Sequence, residues 1–114
     1  MPIAIVIVPK GVGDVRLRGI EERIINIVSD GLKVDAGEIS IVFSESPLTD
    51  EGPKNAFVII YCLEIPERTK ELKDEVALSV AKALREEFQR KNVKAICMFG
   101  ELSCFAEMQP YGSN

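Results

Sequence analysis

At 114 residues, 46% of them hydrophobic and 28% charged, the chain is long enough for one folded domain with a real core and too short for two, and disorder is not expected. Its net charge of −4 argues against nucleic acid or an anionic membrane as a partner. The absence of histidine excludes Ser-His and Cys-His catalysis, argues against a zinc site, and leaves acid–base chemistry near neutral pH to an amine or a shifted carboxylate.

The chain opens with Met1 and Pro2 ahead of an apolar run, Ile3 to Val8, that reads as a strand. Proline suits the first residue of a strand, where its missing N–H is not needed. Pro2 also has a chemical reading: methionine before a small residue is usually removed after synthesis, which would leave a free secondary amine at the mouth of a sheet. The run lacks a basic leader and a cleavage site, and no apolar stretch approaches a membrane span of about 18 residues. Neither a signal peptide nor a transmembrane helix is expected.

A turn around Gly11 to Asp14 leads into a helix reaching residues 29–31, with Leu17, Ile20, Ile24, Ile27 and Val28 at helical spacing and Gly31 as its stop. Ile39 to Phe43 reads as the second strand, and a polar loop covers 45–54. Ala56 to Leu63 is the third strand. Thr69 is the candidate N-cap of a second helix that places Leu72, Val76, Val80, Leu84 and Phe88 on one face. Its other face would carry the pairs Glu86 with Arg90 and Glu87 with Lys91. Ala95 to Phe99 closes the order as the fourth strand. The whole is a pseudo-repeat of βαβ units, 2–47 and 55–102, within a single domain of 1–114. The basic runs Arg16-Leu17-Arg18 and Arg90-Lys91 read as solvated faces. Cys62, Cys97 and Cys104 are an odd count without metal-ligand spacing and read as reduced thiols of a cytoplasmic protein.

Strands 1 and 3 are continuously apolar rather than alternating, which indicates that both faces of the sheet are buried. Two helices cover only one face of a four-stranded sheet, so a second copy of the chain is expected on the other. Two architectures satisfy the element order: a ferredoxin-like βαββαβ sandwich with an antiparallel sheet, and a pair of parallel βαβ units related by a pseudo-twofold axis. Periodicity does not choose between them.

The Met1-Pro2 start, the apolar first strand and the paired βαβ units resemble the tautomerase superfamily, which includes 4-oxalocrotonate tautomerase, 5-carboxymethyl-2-hydroxymuconate isomerase and macrophage migration inhibitory factor. Ala56-Phe57-Val58 through Arg68 is similar, without a gap, to the hydroxymuconate isomerase branch. Pro2-Ile3-Ala4 and the stretch Glu38 to Pro47 resemble 4-oxalocrotonate tautomerase. The resemblance implies an α+β fold with a four-stranded mixed sheet and two helices on one face. It implies a homotrimer with sites at the subunit boundaries, Pro2 as an amino-terminal base, and no metal or cofactor. A secondary amine in an apolar pocket beside cationic groups has its pKa lowered, because burial and like charge both disfavour the ammonium form. Such a base could take a proton from the carbon next to a carbonyl and return it elsewhere on the substrate.

Arg68 aligns with an arginine that holds a substrate carboxylate and polarises the enolate, work suited to a permanently charged, forked guanidinium. On its own, Arg68 also reads as an exposed arginine ahead of a helix. Lys33 lies one position from a substrate-binding lysine of the macrophage factor. Other positions depart from the pattern: Ser40 and Val12 stand where 4-oxalocrotonate tautomerase has arginines, and Ile96 and Met98 stand where the macrophage factor has tyrosine and asparagine.

The resemblance therefore implies a cofactor-independent keto–enol tautomerase or isomerase acting on a small 2-oxo acid or enol, with Pro2 and Arg68 catalytic and Lys33 and Arg68 binding substrate. A non-catalytic trimeric binding or structural module of the same fold is one alternative, supported by the lost strand-2 arginine. A ferredoxin-like small-ligand regulatory domain is the other, and it predicts antiparallel first and second strands.

Overall fold

The computed structural model describes residues 2–45, 55–88, 93–102, 106, 108, 111 and 112. Along the chain lie β1 (Ile3–Val8), α1 (Asp14–Leu32), a 3-10 turn (Ala36–Glu38), β2 (Ser40–Glu45), β3 (Asn55–Leu63), α2 (Lys70–Glu87) and β4 (Lys94–Leu102). The loop beyond Glu45, together with Arg90, Lys91 and Cys104, lies outside the described residues.

The strands form one sheet in the order β2-β1-β3-β4. β1 is parallel to β2, β3 is parallel to β4, and the two units meet at an antiparallel seam where Ile5 faces Ile59. Each helix thus returns its chain to a parallel neighbouring strand. The direct parallel pairing of β1 with β2 and of β3 with β4 excludes the ferredoxin-like arrangement, whose neighbouring strands are all antiparallel.

Alternation along the central strands creates two unlike faces. Ala4, Val6 and Val8 of β1, with Ala56, Val58, Ile60 and Cys62 of β3, point under the helices and are almost fully buried. They meet Ile20, Ile24, Val28 and Leu32 of α1 and Val76, Val80 and Leu84 of α2, with Phe88 sealing the end of α2. Four-residue spacing places each helical set on one stripe. Burying a side chain such as Ile24 or Phe88 contributes about 1.5–3 kcal/mol, so this two-layer core is the main source of stability. The buried residues among those described are all apolar or proline.

The helix-free face carries Ile3, Ile5 and Ile7 of β1 against Phe57, Ile59 and Tyr61 of β3, all half-exposed in the single chain. Val42 and Met98 flank them at 52% and 44% exposure. A contiguous apolar sheet face is costly in water, and here it matches the continuously apolar strands of the sequence.

Gly31 does not stop α1, which continues to Leu32 and closes at Lys33. It serves the contact between helices instead. A Cβ on Gly31 would stand 2.3 Å from Cγ2 of Val76, a stiff, buried, β-branched side chain with no room to withdraw. The helix pair is also joined by charge. Arg23 of α1 donates to Glu86 at 2.8 Å and to Glu87 at 3.1 Å, while Arg16 lies 3.8 Å from Glu87 with its guanidinium 5.4 Å from the centre of the Phe88 ring. Arg16 is thus drawn onto α2 rather than standing free in solvent.

Candidate active site

Topology gathers one end of the sheet. β1 and β2 begin where β3 and β4 finish, so residues near the first strand's start meet those that follow the third. Ile3 lies between Ser40 of β2 and Tyr61 of β3, and Pro2 extends β1 by one residue at this end. The Ser40 N–H donates to the Pro2 carbonyl at 3.0 Å, which holds Pro2 in the middle of the sheet edge. Its ring is under 2% exposed. As the residue before a strand, proline forfeits no ladder hydrogen bond there.

Arg68 arrives at the same end from the loop between β3 and α2. Its own N–H donates to the Ile65 carbonyl at 3.0 Å, closing a turn, and Thr69 then caps α2 by accepting from Leu72 N–H at 3.2 Å. The guanidinium folds back over the end of β3, where Nη1 donates to the Leu63 carbonyl at 2.8 Å. Its Nε is buried and has no partner among the described residues. Arg68 is therefore not a freely exposed arginine ahead of a helix. Buried Cys62 lies close by: burial raises the thiol pKa, with Arg68 and Lys73 pulling against that rise.

On the β4 side, Arg68 opens into a groove of about 530 Å³ between α2 and β4. Its charged rim comprises Glu64, Arg68, Lys70, Lys73 and Asp74. Its floor is Ala77, Cys97 and Phe99, and burial pushes the Cys97 thiol up to about 12, so that thiol is neutral. Pro2 does not line this groove. No sequence spacing marks it, because the glutamate and lysine that meet across it come from a loop and a helix.

Lys33 stands at the same end as Pro2, on the last turn of α1, but it is exposed and touches neither Pro2 nor Arg68 through a described hydrogen bond. Its backbone is left-handed, at φ 56° and ψ 51°, and its N–H donates back to the Ser29 carbonyl. That conformation costs a residue with a Cβ about 1–2 kcal/mol, and glycine usually fills it. Lys33→Gly should accordingly raise stability by about 1 kcal/mol. If the ammonium also binds substrate, the same variant should lose turnover; a stabilised variant with unchanged turnover would leave Lys33 as only a helix cap. Val12 is buried in the core beyond the far end of β1, so no charge could stand in its place without unpaired burial. Ile96 and Met98 face the helix-free side, opposite Phe57 and Ile59.

No family model matches the sequence, and no curated protein aligns with it significantly. Solved structures do match. A fused 4-OT asymmetric trimer superposes with a TM-score of 0.67 at 16% identity, covering 92% of this chain and 91% of that one. A macrophage migration inhibitory factor-like protein from Entamoeba histolytica gives 0.64 at 15% identity over 88% and 89% of the two chains. Malonate semialdehyde decarboxylase gives 0.63 at 14% identity over 94% and 91%. The mixed sheet, its β2-β1-β3-β4 order and these neighbours agree: the chain has the fold of the tautomerase superfamily.

Proposed function

We propose that the protein is a cofactor-independent tautomerase or isomerase of a small 2-oxo acid or enol, with the Pro2 nitrogen as its base. The observation that supports this reading is that Pro2, ahead of β1, and Arg68, tied to the Leu63 carbonyl at the finish of β3, lie at the same end of the sheet. In the proposed reaction Met1 has been removed and the uncharged Pro2 amine takes a proton from the enol oxygen or from the carbon beside a carbonyl. The resulting ammonium returns a proton to the other position, so no group is transferred and no oxidant is needed. Arg68 anchors the carboxylate and stabilises the enolate, and Lys33 assists at the substrate oxygen. No metal or cofactor takes part in the proposed step. The free thiols Cys62 and Cys97 suit a cytoplasmic protein.

The assembly proposed is a homotrimer in which the helix-free faces pack inward and place each site at a subunit boundary. Its support is the apolar face running from Ile3 to Phe57, together with a structural neighbour that is itself a trimer. A binding module of the same fold is the second reading, favoured by the uncharged Ser40 beside Pro2. Sedimentation at micromolar concentration should give a trimer, and mixing that trimer with a freshly generated enol of a 2-oxo acid should accelerate its ketonisation. A stable monomer would defeat the shared site, whereas a trimer without acceleration of any enol would favour the binding module.

A further inference from the structure

We propose that the groove between α2 and β4 makes the site selective for an organic monoanion with an apolar body, and that Glu64 sets this selectivity by cancelling the charge of Lys73. The inference rests on the reading of Arg68 as the carboxylate anchor and adds what kind of acid that anchor accepts.

Three cations stand on the rim, but two are already committed. Lys70 Nζ lies 2.6 Å from Asp74, and Lys73 Nζ lies 2.5 Å from Glu64. Glu64 holds the Lys73 ammonium firmly charged, and Glu101 of β4 lies near enough to add to that effect. Among the described residues Arg68 makes no ion pair, and the Leu63 carbonyl that accepts from it carries no formal charge. Among the described residues, Arg68 is therefore the rim cation without a carboxylate partner. A single carboxylate on Arg68 satisfies it.

A second carboxylate has no such partner. Approaching Lys73, it meets the Glu64 oxygens already seated there, and specificity built from a repelling charge is as effective as specificity from an attracting one. Below the rim, Ala77 and Phe99 offer carbon, and Cys97 offers a neutral thiol. The complementary ligand is one carboxylate joined to an alkyl or aryl body.

The test is calorimetric and needs no turnover. Hexanoate and adipate have the same chain length and differ in one carboxylate, so each is titrated into the Met1-free protein and its Glu64→Gln variant. The wild-type protein should bind hexanoate more tightly than adipate. Glu64→Gln frees Lys73 and should tighten adipate about tenfold, the scale of one charge contact at a partly exposed site, with hexanoate little changed. Ala77→Leu, which narrows the floor without touching a charge, should weaken hexanoate several-fold. Adipate binding as tightly as hexanoate to the wild-type protein, an equal effect of Glu64→Gln on both acids, or no binding of either acid would each overturn the proposal. Acid binding with the expected selectivity, in a protein that accelerates no enol, would remove the catalytic reading and keep this one as a ligand site.

Discussion

Blocking the Pro2 nitrogen should abolish enol ketonisation, while Pro2→Ala should lower it by about 10²-fold or more without removing it. The difference lies in what each change does to the nitrogen. While Met1 is attached, that atom is an amide with its lone pair in resonance, and it cannot accept a proton at neutral pH. Alkylation leaves a tertiary amine that is still basic, and blocks it by placing a substituent where the substrate must approach. Pro2→Ala, after removal of Met1, leaves a primary amine in the same place, less well positioned because the ring no longer locks it against the sheet. The Pro2 carbonyl would still accept from Ser40 N–H, so the end of β1 should keep its place.

The same amine should produce one ionisation in the rate profile. Activity should rise with pH as the ammonium loses its proton, with the midpoint below that of an ordinary secondary amine, because the apolar, buried setting of Pro2 disfavours the charged form. Intact mass spectrometry reports whether Met1 is gone, and a stopped-flow enol assay across pH reports the rest. Full activity in protein that retains Met1 would sink the mechanism, leaving Pro2 as a strand's first residue.

Arg68→Ala should cost about 2–4 kcal/mol of transition-state stabilisation, read as a fall in kcat/KM of roughly 30- to 1,000-fold. Two structural facts make the effect specific. The guanidinium is held over the end of β3 by the Leu63 carbonyl, so little ordering remains to be done when substrate arrives. Its buried Nε also means that lysine, a point charge on a flexible stem, cannot restore the same contacts. Arg68→Lys should therefore recover only a small part of the loss. Loss of the Leu63 contact costs the loop about 1 kcal/mol, which the core of α2 tolerates. Circular dichroism and sedimentation separate this modest loosening from the catalytic effect. Unchanged turnover in an intact assembly would return Arg68 to a purely structural role.

Much of the architecture was legible as pattern. Short apolar runs located the four strands and period-3.6 spacing the two helices, the Thr69 cap was marked by a hydroxyl just ahead of the helical spacing, and the continuously apolar β1 and β3 pointed to a second face that water should not see. These are local consequences of side-chain chemistry, and adjacent residues suffice to express them. Gly31 shows where such reading stops. As a local signal glycine marks a helix end, yet here it is required by Val76, forty-five positions along the chain, and α1 runs on to place Lys33 in the left-handed cap.

The composition and the order of strands and helices were determined by the sequence alone, since each depends only on residue identity and spacing; Pro2 as a base entered only through the resemblance. Strand order and pairing were decided only in three dimensions. Both rival folds use the same hydrophobic period, and which strands pair depends on contacts between residues about fifty apart, such as Ile5 with Ile59. The same holds for the site. Arg68 acquires its orientation from the Leu63 carbonyl, and the charge of Lys73 is offset by Glu64, because a loop reversal and one helical turn bring together groups whose separation along the chain carries no signal. Residue types set which charges were available; tertiary packing decided which of them are paired, Lys70 with Asp74 and Lys73 with Glu64.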